Sequence, residues 1–165
     1  MSGPVLFYLT LGSALGAGLI AGVFFAFSSF IMPALTKLPP AEAIAAMQSI
    51  NVVVLNRSFL SVFVGTAGLC LAVAVPSLFS FSTSGSKLRL AGAALYVLGT
   101  FLVTMACNVP LNDALANATP HATQAAETWS SYAPRWTAWN TVRALAALGA
   151  AGSLILSLVQ SASTD

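Results

Sequence analysis

Long runs of apolar side chains, broken by short polar connections, set the pattern of this chain. The first run extends from Val5 to Leu35, with Pro33 near its end and no charge before Lys37. The others cover Ser58–Phe81, Leu88–Leu111 and Pro134–Val159. A helix needs about 20 residues to cross a hydrocarbon layer of about 30 Å, so each run predicts a transmembrane helix. The first is longer than that and should tilt or project beyond the membrane. Residues 40–56 differ: Ile44, Met47, Ile50 (or Asn51), Val54 and Leu55 recur near helical spacing, with Glu42, Gln48, Asn51 and Asn56 between them. That is an amphipathic helix, either lying at the interface or forming the start of one long bent helix with the next span. The expected architecture is all-α: one integral membrane domain over residues 1–165, a four-transmembrane-helix antiparallel bundle with an amphipathic segment between the first and second spans.

Prolines and glycines refine the elements. Gly12 with Gly16, and Gly18 with Gly22, form small-xxx-small pairs that admit another helix, either from this chain or across a dimer seam. Pro76 and the serine-rich turn after it end the second span. Pro110 cannot donate to the carbonyl of Ala106, which predicts a kink or an end to the third helix. Residues 112–133 read as the one sizeable polar loop, holding His121, Glu127, Trp129 and Tyr132. With Pro134 in the first turn of the fourth helix, Trp136, Asn140 and Arg143 follow at i, i+4 and i+7 on one face. An arginine inside a membrane helix costs about 3 kcal/mol on insertion scales and should face protein or a wet cavity. The alternative is that Arg143 snorkels to the interface, with the tryptophans as an interfacial belt.

Composition agrees with a membrane protein: 58% of residues are hydrophobic and 6% charged, with a mean hydropathy of +0.88, against about 25% charge in soluble domains. The net charge of +2 is scattered between spans, with no basic block to bind nucleic acid. The amino terminus lacks a basic n-region, so the first run reads as a retained span. Cys70 and Cys107 belong at different depths and read as separate thiols. With a single histidine and no CxxC, no metal site and no cofactor are expected. The sequon at Asn117 is too short a match to carry weight. An ion channel is disfavoured because no span carries polar residues through to its other end.

The polarity gathers at one end of the expected bundle. Lys37, Glu42, Gln48, Asn51, Asn56 and Arg57 arrive through the first connection, Asn108, Asn112 and Asp113 through the third span, and Trp129, Tyr132, Trp136, Asn140 and Arg143 through the last loop and span. The opposite end offers a serine-rich turn, Lys87 and Arg89. Polar groups inside a bilayer protein must satisfy one another, which predicts a network of Asn108, Asn112, Asn140 and Arg143. It serves either as helix glue or as the polar part of a pocket with aromatic walls. Such a pocket suits a flat hydrophobic small molecule, or a membrane lipid, arriving from the bilayer. Basic residues leave the orientation open, with a lean towards cytoplasmic termini and an outward polar mouth.

Several stretches resemble one family in order along the chain: AGVFFAFSSFIMPAL, MQSINVVVLNRSF, NVPLN, and W-x2-Y-x3-W-x2-WN-x2-R. They are similar to the anthrone-oxygenase-like family of small four-helix membrane proteins. The resemblance covers about Gly16 to Leu154. It implies, from fungal members, conversion of anthrones to anthraquinones with molecular oxygen and without metal or flavin. Most bacterial members carry no assigned function, and the alanine-rich chain points to a bacterial plasma membrane. The chemistry needs a base, donors for an oxyanion and a stacking site. On the matching positions, Asp113 or Glu42 is the candidate base, with His121, in a stretch of small residues, less suited. Arg143, Asn140 and Asn108 are the donors, and Trp136 and Tyr132 the walls. Asn112, Trp129, Asn51 and Arg57 complete the substrate-facing set. The competing class is a non-catalytic protein that binds a lipid or quinone, or assists a membrane complex.

Overall fold

The computed structural model describes residues 3–119 and 124–163. It consists of α1 (Gly3–Leu35), α2 (Pro40–Val53), α3 (Arg57–Phe79), α4 (Ser86–Ala116) and α5 (Ala125–Ala162), with no strand among the described residues. Helices α1, α3, α4 and α5 are each long and apolar enough to cross a membrane, so the chain is a multi-pass membrane protein. Local chemistry explains where they begin. Pro40 occupies the first turn of α2, where a missing N–H is harmless. The Asn56 side chain accepts from Phe59 N at 3.0 Å and caps α3. Gly85, at φ +78°, takes the left-handed turn into α4 that other residues avoid.

The spans form a closed ring in which α1 packs against α3 and α5, and α4 against the same two helices. Contacts pair the later part of one helix with the earlier part of an adjacent one, as an antiparallel bundle requires: Phe24 of α1 meets Asn140 of α5, and Ser77 of α3 meets Arg89 of α4. Small residues permit the closeness. A side chain at Gly16 would collide with Thr66 of α3, so the Gly12–Gly16 pair packs within the chain. Gly18 and Gly22 instead have nothing within 4 Å beside them. Ala17, Ile20, Phe63, Cys70, Tyr96, Ala147 and Leu154 lie in the bundle core, while Leu71, Leu98, Leu145 and Leu148 point outward, as lipid-facing side chains do.

The helices are unequal in a way that positions the site. At 1.5 Å per residue, the 38 residues of α5 span about 57 Å, against about 35 Å for the 23 residues of α3. The long helices α1, α4 and α5 overshoot at one end, and α2 folds over them. A second core of Met32, Leu35, Ile44, Met47, Leu115, Trp129, Tyr132 and Trp136 holds this cap together. Gln48 ties α2 down by donating from Nε2 to the carbonyls of Leu115 and Ala118 at 2.8 and 2.9 Å. Those carbonyls lie in the turn that closes α4, where Leu115 O also accepts from Ala118 N at 3.0 Å.

Several expectations about boundaries change. The loop assigned to residues 112–133 is mostly helix: α4 runs on to Ala116 and α5 begins at Ala125, with Pro134 inside it rather than in its first turn. The carbonyl that Pro134 deprives of a donor belongs to Ser130, on an exposed face where water can replace it. Neither Pro110 nor Pro76 ends its helix. Ahead of Pro110 the backbone widens into π-helical turns over Leu95–Leu102 and Thr104–Asn108, and Val109 N bonds Thr104 O five residues back. A similar turn at Phe27–Ile31 precedes Pro33 in α1. Helices α2 and α3 are separated by a turn at residues 54–56, so they are not one bent helix. Cys70 and Cys107 are free thiols. His121 lies outside the described residues.

Candidate functional site

Arg143 sits near the middle of α5, and only 5% of it is exposed, so it does not snorkel out to the surface. Its guanidinium lies between two aromatic faces, with Cζ 4.0 Å from the Phe24 ring centre and 5.1 Å from that of Trp136. Nε and Nη2 donate to Asn140 Oδ1 at 3.2 and 2.9 Å, and Nη1 donates to Thr104 Oγ1 at 3.2 Å. Asn140, one turn earlier, donates from Nδ2 to Phe24 O and Ser28 Oγ, both at 2.6 Å. The i, i+3 spacing that puts Asn140 beside Arg143 thus joins three helices at one point. No carboxylate pairs with Arg143 among the described residues, so an amide, a hydroxyl and two rings stabilise the buried cation.

A second polar group lies towards the cap. Asn112 Oδ1 accepts from Trp136 Nε1 at 2.7 Å and from the Tyr132 hydroxyl at 3.0 Å. Asn108 donates from Nδ2 to Trp136 O at 3.2 Å. Trp129 stacks at a tilt on Tyr132, 5.7 Å between ring centres, and Asn51 of α2 sits beside the Tyr132 hydroxyl. Three buried polar atoms in this cluster, Asn51 Nδ2, Asn108 Oδ1 and Trp129 Nε1, have no hydrogen-bond partner among the described residues. Such groups are uncommon in native proteins because each costs about 1–3 kcal/mol to leave unpaired.

The predicted site residues therefore divide. Arg143, Asn140, Asn108, Asn112, Trp136, Tyr132, Trp129 and Asn51 belong to one contiguous cluster. Asp113 and Glu42 are exposed, and neither makes an ion pair or a side-chain hydrogen bond among the described residues. Arg57 is exposed at the start of α3 and makes no side-chain hydrogen bond to the cluster among the described residues. Phe24, Ser28 and Thr104 were not anticipated. Ser28 also bonds Thr141 Oγ1 at 2.9 Å. Among the described residues, no three His, Cys, Asp or Glu side chains gather as metal ligands would.

A family model described as anthrone oxygenase matches residues 53–153, well over half of the chain. The chain belongs to the anthrone oxygenase family. No curated protein matches it, and neither does any solved structure. The segment matched to the anthrone oxygenase family holds both asparagines of α4 and the whole Trp129-to-Arg143 face of α5. It leaves out Asn51, Phe24 and Ser28. In this member of the family, then, α1 and α2 complete a cluster whose centre lies in the matched region.

Proposed function

We propose that the capped end binds a flat hydrophobic aromatic molecule and acts on it as a cofactor-independent oxygenase of the anthrone oxygenase type. The observation that carries this reading is the set of buried atoms without a hydrogen-bond partner among the described residues, Asn51 Nδ2, Asn108 Oδ1 and Trp129 Nε1. They offer two donors and one acceptor beside the aromatic rings of Trp129, Tyr132 and Trp136, as recognition of a ring bearing carbonyl and hydroxyl groups requires. Family membership supports the same chemistry. Loss of a methylene proton from an anthrone gives an electron-rich enolate, oxygen adds at that carbon, and loss of water from the peroxide leaves the second carbonyl. One anthrone and one oxygen molecule give one anthraquinone and one water, so no external reductant is needed.

In this reading Arg143, held by Asn140, stabilises the developing oxyanion, and Asn108 and Asn112 orient the ring. Asp113, at the exposed rim next to Asn112, takes the proton, with Glu42 as the other rim carboxylate. The alanine-rich sequence supports a bacterial plasma membrane as its place. The test is oxygen uptake by the purified protein with an anthrone, comparing wild type with Asp113→Asn and Asn140→Asp. Uptake above the uncatalysed rate, reduced at least tenfold in both folded variants, supports the reading. Uptake no faster than buffer sinks it.

A second reading rests on the Arg143 cage itself. Two rings, an amide and a hydroxyl surround the guanidinium from within the chain, as in a site that holds helices together and binds a quinone or lipid without turnover. Native mass spectrometry that finds a retained quinone, together with no oxygen uptake, selects it.

A further inference from the structure

The opposite end of the bundle holds a second buried arginine. Arg89, in the first turns of α4, is 5% exposed. Its Nε donates to Ser77 Oγ at 3.1 Å, Nη1 to Ser161 Oγ at 3.2 Å, and Nη2 to Ser86 Oγ at 2.9 Å and Ser84 O at 3.4 Å. These bonds engage all but one of the guanidinium N–H groups, and every partner is neutral. The acidic side chains among the described residues, Glu42, Asp113 and Glu127, all stand at the other end. Burying a cation without a counter-charge is costly.

Arg89 also lines a cavity of about 450 Å³ between the start of α1, the turn before α4 and the end of α5. Thr10, Thr83 and Ser84 supply hydroxyls along it, and Leu6, Phe7 and Leu158 make an apolar wall. A neighbouring concavity across Thr83 and Ser84 reaches Lys87, which lies 5.4 Å from the Phe81 ring centre. The space thus combines a fixed guanidinium, hydroxyl groups, a second cation nearby and an apolar side that continues onto the lipid-facing surface at Phe7.

We infer that this cavity holds the phosphate of an anionic phospholipid, with Arg89 as its anchoring charge and an acyl chain along Phe7 and Leu158. A phosphate oxygen takes the remaining Nη1 hydrogen and supplies the counter-charge that no described residue provides. A zwitterionic headgroup fits less well, because no described carboxylate stands at this end to receive its ammonium and Lys87 repels it. The inference is independent of any activity at the capped end.

Native mass spectrometry of the full chain in mild detergent tests this with phosphatidylglycerol, phosphatidylcholine of the same acyl chains, and inorganic phosphate. One phosphatidylglycerol per chain should be retained at least tenfold more strongly than phosphatidylcholine. Leu158→Trp fills the apolar side and keeps every Arg89 hydrogen bond, so it should lose that retention while melting as wild type does. Arg89→Gln, where it folds, should abolish the preference for the anionic lipid. Equal retention of the two lipids overturns the inference, as does phosphatidylglycerol binding that survives Leu158→Trp. Retention of inorganic phosphate in place of phosphatidylglycerol overturns the lipid assignment.

Discussion

Each end of this bundle buries an arginine, and the two ends satisfy it by different means. Arg143 is held by ring faces and by the single oxygen of Asn140, which accepts two of its N–H groups. Arg89 is held by serines drawn from α3, α4 and α5 and by one turn carbonyl. A ring-and-amide cage is rigid, since Asn140 is itself pinned to Phe24 O and Ser28 Oγ. Hydroxyls rotate and can re-pair. The difference teaches that burial alone does not describe a cation's role: the rigid cage suits orientation of a reacting group, and the adaptable one suits an exchangeable anion.

The contrast breaks most readily at Asn140. Asn140→Ala leaves the Arg143 charge buried with most of its donors unpaired, and should destabilise the protein by about 3 kcal/mol or more. Reversible unfolding in mixed micelles measures it. The double variant Asn140→Leu with Arg143→Met should recover at least half of that loss, because removing both partners leaves no orphaned charge; equal losses would mean that packing, and not the cation, sets the cost. Gly85→Ala should cost about 2 kcal/mol in the same assay, since the left-handed turn penalises a side chain by about 1–2 kcal/mol and the new Cβ would also crowd Ser157 O.

Arg89→Met should cost less, about 1–2 kcal/mol, as Ser77 and Ser161 keep the hydrogen bonds they already donate to Val73 O and Ser157 O. A loss matching that of Asn140→Ala would erase the distinction between rigid and adaptable cages. Arg57→Gln, at an exposed position, should change stability by less than about 0.5 kcal/mol. A larger effect would draw the start of α3 into the capped end.

Hydropathy made the four spans readable because a bilayer leaves little freedom in length and composition. The spacing of Trp136, Asn140 and Arg143 placed them on one face even though the premise about Pro134 failed, since helical periodicity does not depend on where the helix starts. The start itself was obscured because proline and polar residues resemble a loop until water on the exposed Ser130 face is considered. The direction of Asp113 was hidden for a related reason. Adjacency to Asn112 says nothing about direction on a helix, where neighbours point about 100° apart, and the carboxylate faces out. Arg89 was passed over because a charge at the edge of a span ordinarily snorkels. The signal was in Ser77, Ser84, Ser86 and Ser161, four serines that only the folded bundle brings together.

The π-helical turns in α1 and α4 give the capped end its own rotational setting. Each wider turn holds an extra residue relative to α geometry, so the chain beyond it is offset by about 100° from where an ordinary helical wheel would put it. Deleting one residue within Phe27–Ile31 or Thr104–Asn108 should restore the narrower turn and leave the span intact. It would also swing Met32 and Leu35, or Asn112 and Leu115, away from the partners they now meet. These turns therefore act as joints in the sequence register, where single-residue insertions and deletions can re-aim the cap without rebuilding the bundle beneath it.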